Sequence, residues 1–556
     1  MFKKVVASFL AMSMCAATLV GCGGTEAKQD ETTKKEETAK TEESEGAEEG
    51  GDDMIGNMYK EGYPIVEEKE TFHIVASYDS RQQKFNDMEF FKELEEQSNI
   101  HIEWEFIESS DYEQKKNLIL ASGEYPDAFF NNISTTDLNT HVPQGVFIAI
   151  SDYLEYAPNL SAVFEEHPEF KSLCTYSDGN IYSIGYGGED PCQYKPDELY
   201  VYKPWLDKLG LEVPETIDEF YEMLKAFKEQ DPNGNGEADE IPFSASPSYI
   251  RGFHSLSGAF GPAIYFADAN SKGPENFVYE EDGEIKFGAN TEDWKEFIKF
   301  VNKMFSEGLF DQEIFTQDSK QYFAKGKTED VTLGSFFLWN APNMVGAERA
   351  DDYVVIPTMK GPDGDQNSVY YKCNNGAVSA SNFAITSACE HPETLVRWLD
   401  QFYDKKTSAE ALYGPVEEGA DGIYEFVQYP EGSSFDEYRY QNSPVFGPGA
   451  VFKEDFDVTV EMPEMLVNKM TEINTYYSIY PSTNTLPMIK YNDEETEWIQ
   501  TSGADLVTYV YDKMAQWMMK GGIDEEWDDY LKQLEKLGVE RHIEVLQGAY
   551  DRQYGN

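Results

Sequence analysis

Apolar and polar positions recur along this chain in two registers. Strict alternation over residues 100–107, with Ile100, Ile102, Trp104 and Phe106 on one side, predicts a half-buried strand. A β-rich run over 71–76 predicts an earlier strand, and 126–130 begins a third. Between them Phe90, Phe91 and Leu94 recur at helical spacing within 85–98. Residues 112–120 read as a second helix, stopped at Ser122 and Gly123. Strand, helix, strand, helix, strand predicts a parallel sheet with crossover helices. Further on, Phe220, Leu224 and Phe227 recur at i, i+4 and i+7, giving a helix one buried face. Thr216 is its N-cap and Glu219 completes a capping box. Residues 294–305, 393–403 and 526–537 read as helices, the last carrying Trp527, Tyr530, Leu531, Leu534 and Leu537 on one stripe. Residues 331–339, 352–357 and 377–386 read as strands, and Asp178-Gly179 predicts a hairpin turn.

The first residues have a different pattern. Lys3 and Lys4 precede a mostly apolar run over 5–20, about 16 residues, shorter than the ~20 a spanning helix needs. This reads as a secretory signal peptide over 1–21. It ends Leu19-Val20-Gly21-Cys22, which resembles the lipobox of bacterial lipoproteins. The resemblance implies that Cys22 is diacylated and becomes the new N-terminus, with palmitate-type chains as the membrane anchor. Residues 22–58 hold the lipidated Cys and then Gly, Thr, Glu, Lys, Ser and Asp without hydrophobic periodicity, so they are expected to form a disordered acidic tether.

Composition narrows the function. The 556 residues include 44 Lys and Arg against 104 Asp and Glu, a formal net charge of −60. Nucleic acid is excluded as a partner, because phosphates are neutralised by Lys and Arg. Bare anionic lipid repels such a surface, so membrane contact is expected through the acyl anchor only. Aromatics make up 14% of the chain, which excludes wholesale disorder. Of the six cysteines, Cys174, Cys192, Cys373 and Cys389 lie in the folded part. Their spacings do not resemble a zinc site, and 174–192 or 373–389 are the local disulfide pairings, with buried thiols as the alternative.

One loop has cation chemistry. Asp231, Asn233 and Asn235 place oxygens at positions 1, 3 and 5, and Gly236 stands at position 6, as in the first half of an EF-hand. Position 12 is Pro242 rather than a bidentate Glu, and no helix follows. A variant cage would use Asp231, Asn233, Asn235, Asp239 and Glu240, with the Glu237 carbonyl as a sixth ligand. Oxygen-only ligands favour Ca²⁺.

Here the chain resembles a family. The stretch 205–242 opens Trp205-Leu206-Asp207-Lys208-Leu209-Gly210-Leu211, continues Pro214-Glu215-Thr216, and closes on the 231–236 loop and Asp239-Glu240-Ile241-Pro242. It is similar to the large extracellular solute-binding lipoproteins of carbohydrate ABC importers. Residues 121–127, Asp178-Gly179-Asn180-Ile181-Tyr182, 307–311, 356–361 and Trp527-Asp528-Asp529-Tyr530 extend the likeness over nearly all of the folded chain. The resemblance implies an α/β fold of the two-lobed periplasmic-binding-protein type (type II). Each lobe is a mixed sheet flanked by helices, joined by a multi-segment hinge and closing on ligand. The expected division is 59–190 plus 355–405 for the N-terminal lobe and 191–354 plus 406–556 for the C-terminal lobe. The resemblance also implies a monomeric, lipid-anchored, extracytoplasmic protein that is not an enzyme. It would capture an oligosaccharide and deliver it to ABC permease subunits, with a structural calcium away from the sugar.

Sugar faces stack on aromatic rings, and hydroxyls need planar polar partners. Residues at three predicted strand ends meet that demand: Asn131 and Asn132 after Phe130, then Arg251, Phe253 and His254, then Trp339 and Asn340. Tyr477 is a fourth candidate. In relatives a ligand-stacking Trp often stands where Trp339 does. The competing functions are a surface-anchored glycoside hydrolase, which needs two carboxylates about 5–9 Å apart, and a polysaccharide-binding protein outside transport. No Gly-x-Ser-x-Gly, His-Glu-x-x-His or phosphate-cradling glycine loop is present.

Overall fold

The computed structural model describes residues 54–554 except 80, 177, 189–196, 247–251, 267–272, 371–376, 420–421, 431–432, 446, 488 and 490. The signal peptide, Cys22, Arg251, Cys192 and Cys373 lie outside the described residues. Cys174 and Cys389 are buried.

The alternating run becomes the strand Ile100–Glu108, which pairs in parallel along its whole length with Glu70–Tyr78. Ala128–Phe130 pairs in parallel on the other side. The helices Glu89–Ser98 and Ser109–Ser122 make the crossovers, ended by Asn99 at φ 64° and Gly123 at φ 78°. The sheet has six strands, in spatial order Gly449–Ala450, Ile184–Gly187, Ala377–Ile385, Ala128–Phe130, Glu70–Tyr78 and Ile100–Glu108. Ile100–Glu108 is an edge strand, which explains why Trp104 and Phe106 are only partly buried while Phe72, Ile74 and Phe130 are core. Rings fill this core edge to face, Trp104 against Phe130 at 5.4 Å and Trp398 against Phe402 at 5.1 Å between centroids.

A second lobe holds two smaller sheets. One is Ser335–Leu338, Glu198–Tyr202 and Tyr353–Val355, antiparallel throughout. The other orders Ser368–Tyr370, Ser482–Asn484, Val278–Glu281 and Glu284–Phe287. The capping box of Thr216 forms as expected, with Glu219 N–H donating to the Thr216 hydroxyl at 3.1 Å. Phe220, Leu224 and Phe227 are buried on that helix, and Trp527, Tyr530 and Leu534 on Ile523–Leu537.

The chain passes between the lobes three times: between Gly187 and Glu198, between Tyr370 and Ala377, and after Ala450. This corrects the expected boundaries. Ser368–Tyr370, placed in the N-terminal lobe, belongs to the second-lobe sheet. Gly449–Ala450, placed in the C-terminal lobe, is a strand of the six-stranded sheet. Residues 54–58, assigned to the tether on composition, take part in the ribbon Met54–Ile55 with Met58–Tyr59, where Met58 is buried. Asp178-Gly179 makes a turn closed by the isolated bridge Thr175–Ile181 rather than a hairpin between strands.

Next to the first crossing, the strand Ala377–Ile385 shifts register against Ile184–Gly187 at two places. The irregularity brings its backbone over Gly185, where a Cβ would stand 1.7 Å from the Ser379 carbonyl oxygen. The contact is backbone on backbone, so no rotamer change can relieve it. Gly185→Ala is therefore expected to destabilise the protein by about 3 kcal/mol or more. Chemical denaturation would check this, and a wild-type midpoint would show that the two strands separate at little cost.

Candidate functional site

Both lobes present polar residues where strands end. In the first lobe Ala128–Phe130 runs directly into Asn131 and Asn132, both left-handed at φ 70° and 58°. Two consecutive non-glycine residues in that region persist only when neighbours fix them. Asn131 N–H donates to the Asn382 carbonyl at 2.6 Å, and the Tyr112 hydroxyl donates to the Asn131 carbonyl at 2.9 Å. Lys116 Nζ donates to the Asn132 carbonyl at 3.3 Å. Lys116 is itself wholly buried and paired to Asp137 at 2.6 Å, so the turn rests on an internal ion pair. Asn131 is buried and belongs to this support. Asn132 is exposed, its amide donating to the Ser77 hydroxyl at 3.2 Å, and is the member of the pair that can meet a ligand.

Arg81 was not singled out from sequence. It bonds Asp79 through Nε and Nη2, both at 2.9 Å, and donates to the Tyr440 hydroxyl at 3.1 Å. Its guanidinium lies 4.5 Å from the centroid of the Tyr440 ring and 5.7 Å from that of Phe323. It therefore joins the segment after Glu70–Tyr78 to the helices Phe435–Asn442 and Ser319–Gly326. Burial raises the Asp79 carboxyl, and Arg81 outweighs it, holding the group below the usual range.

In the second lobe Trp339 and Asn340 follow Ser335–Leu338. Trp339 is half-buried and its Nε1–H points at Met465 Sδ, 3.4 Å away. Asn340 caps the short helix Ala341–Val345, accepting from Asn343 N–H at 3.1 Å and donating to Asp436 at 2.8 Å. Its amide is thus engaged within the protein. Three other candidates are core. Phe253 is 0% exposed, with its ring 5.8 Å from Phe243 and 5.6 Å from Phe337. His254 is 2% exposed and its Nε2 meets the Phe266 backbone. Tyr477 is 2% exposed and donates to the Ile356 carbonyl at 2.9 Å. An aromatic that packs and one that stacks on sugar have the same local sequence signature, and here packing wins.

A pocket of about 740 Å³ opens between the helix Glu464–Tyr476 and the strand Tyr353–Val355, bordered by Asn340, Phe435 and Asp436. Lys469 and Glu472 line it. Behind them Glu198, fully buried, pairs with Lys469 at 2.8 Å and accepts from the Tyr200 hydroxyl at 2.7 Å.

The 231–240 loop is built from Asx turns. Asp231 accepts from Gly234 N–H at 2.9 Å and Gly236 N–H at 3.1 Å, Asn233 from Asn235 N–H at 3.0 Å, and Asn235 from Glu237 N–H at 2.7 Å. Gly234 and Gly236 take φ of 81° and 80°. The amides of Asn233 and Asn235 converge on Asp239. Glu240 Oε1 is buried with no hydrogen-bond partner. Burial, then the charges of Asp239 and Asp231, push its carboxyl up. Among the described residues no three His, Cys, Asp or Glu side chains form a ready metal cluster, this loop included. Its donor set is nonetheless all oxygen, and the orphaned carboxylate oxygen fits a hard cation.

The sequence pattern of the bacterial extracellular solute-binding proteins matches residues 80–409. The chain belongs to this family. It is 33% identical over 512 residues to the fructooligosaccharide ABC transporter substrate-binding protein FusA of Streptococcus pneumoniae, covering 89% of this chain and 92% of that one. The solved structure of FusA in complex with kestose superposes with a TM-score of 0.77 over 87% of this chain and 99% of that one. A FusA EF-hand mutant in complex with fructo-nystose, 32% identical, covers the same shares with a TM-score of 0.79. The two-lobed α/β fold expected from the family motifs is thus the fold of the relatives. These relatives are solute-binding proteins rather than enzymes, and among the described residues no helix is long and apolar enough to cross a membrane.

Glu472 gives the site a pH signature. Burial, then the neighbouring charge of Glu198, push its carboxyl up to about 8. The folded chain therefore keeps a proton that an unfolded glutamate releases near 4.5. The stability this proton contributes is complete below about pH 4.5 and is lost as pH rises through about 8. The melting temperature of wild type relative to Glu472→Gln is expected to fall steadily from pH 5 to 8. A difference that stays flat over that range would show that Glu472 is ionised in the folded state.

Proposed function

We propose that this protein is the substrate-binding component of an ABC importer, capturing an oligosaccharide between its two lobes outside the cell and presenting it to permease subunits. The observation that carries this reading is the likeness to FusA, which runs through both lobes. The binding is reversible, and the lobes close because ligand contacts are made in the closed arrangement and not in the open one. Trp339 supplies a stacking face from the second lobe and Asn132 a hydroxyl partner from the first, and Arg251, outside the described residues, is a further candidate hydroxyl partner. Lipid on Cys22 anchors a monomer to the membrane, since two acyl chains hold stably where one does not.

Calorimetry with a panel of oligosaccharides, kestose first, is expected to give one site per chain and no shortened products on analysis of the same mixtures. Trp339→Ala should weaken binding by about 2 kcal/mol, roughly thirtyfold in Kd, with the fold intact. Release of shorter sugars would replace transport with hydrolysis. Wild-type affinity in the variant would move the stacking residue elsewhere.

The 231–240 loop holds a structural Ca²⁺ in this reading, supported by its oxygen donors, the orphaned Glu240 oxygen and the EF-hand named in the FusA mutant. Asp231, Asn233, Asn235, Asp239, Glu240 and the Glu237 carbonyl would hold the ion. A ligand of the folded state at a hundred times its Kd adds about 2.7 kcal/mol of stability. Chelator should therefore lower the melting temperature, and Asp231→Ala should abolish that response. An unchanged melt, with no calcium by elemental analysis, leaves the loop an ordinary turn.

A further inference from the structure

Trp339 lies one residue beyond the last paired position of its strand, Leu338, which is opposite Glu198. The ladder therefore does not fix it, and the helix Glu464–Tyr476 does. Lys469, 1% exposed at its side chain, donates through Nζ to the Trp339 carbonyl at 2.5 Å and lies 4.7 Å from the centroid of the indole ring. Met465, one turn earlier on the same face, receives the indole N–H. The carbonyl, one ring face and the N–H edge of Trp339 are all held by this helix.

A buried ammonium needs an opposite charge beside it, and it then offers a cation to an aromatic face and a charged hydrogen bond to a carbonyl. Glu198 supplies that charge at 2.8 Å. Because Glu198 opens the strand that follows the first crossing between lobes, the pair also ties the indole to the hinge.

We propose that Lys469 is a positioning residue for ligand binding: it clamps the backbone and one face of Trp339 so that the opposite face is presented to the sugar, with Glu198 as its counter-ion. This rests on the reading that Trp339 stacks on the ligand. It extends the site from the cleft into the buried charge layer behind it.

The test is a double-mutant cycle in the full mature chain, read by calorimetry with kestose or whichever panel sugar wild type binds most tightly. Lys469→Met leaves Glu198 without its counter-ion, so Glu198→Gln/Lys469→Met serves as the charge-neutral companion, and circular dichroism establishes that each is folded. In a folded variant, loss of the clamp should weaken binding about tenfold and should shrink the sugar-induced change in Trp339 fluorescence, obtained by difference from Trp339→Phe. In the Trp339→Ala background the same substitutions should have no further effect. If Trp339→Ala loses affinity but the folded Lys469 variants do not, the positioning role is overturned and the stacking residue stands. An equal loss with and without Trp339 also overturns it, because Lys469 then acts independently. Wild-type affinity in Trp339→Ala overturns the stacking reading itself.

Discussion

A chain with 104 acidic side chains and 44 basic ones can bury a carboxylate only by giving it a cation, a proton or a set of hydrogen-bond donors. The structure uses the first two. Glu198 and Asp137 each receive a buried lysine, Asp436 receives Arg439 at 2.8 Å, and Glu472 keeps its proton. Cations are scarce, so where they are buried is informative. Lys116 supports the carbonyl of Asn132 and Lys469 that of Trp339. Both buried lysines thus reach from their helices to the residues that follow strand ends.

That placement gives the site its physical character. A sugar offers no charge to attract, so recognition depends on ring faces and amides held ready in position. Asn132 achieves this through a left-handed turn imposed from below by Tyr112 and Lys116, and Trp339 through a helix that grips its carbonyl, ring and N–H. Asn132 and Trp339 are neutral, and the two lysines that hold their carbonyls are buried, with side chains 0% and 1% exposed.

Local signals in the sequence are legible because their physics is local. The capping box at Thr216 and the alternation of 100–107 each follow from residues within one or two turns of one another. The long-range pairs were not legible: nothing near Glu198 announces Lys469, and nothing near Arg81 announces Tyr440 or Phe323. The same limit explains Phe253, His254 and Tyr477. Each sits beside polar residues at an element's end and has the composition of a sugar platform, but burial is decided by elements distant in sequence. Lobe boundaries moved for a related reason. Gly449–Ala450 has no strand-like pattern of its own and becomes a strand only because Ile184–Gly187 leaves it an edge to pair with.

The three crossings between lobes also bear on how the chain acquires its shape. The six-stranded sheet needs residues from Glu70 to Ala450, and the second lobe needs residues from Glu198 to the terminal helix Val539–Tyr554. Neither lobe is a continuous stretch, so a chain emerging from its N-terminus has no complete core until nearly all of it is available. The three early strands can pair with one another, but the free edge of Ala128–Phe130 waits for Ala377–Ile385, and such an exposed edge favours slow folding and aggregation. The same interleaving that joins the two lobes three times delays the closing of the first lobe's sheet until Ala450 has been made.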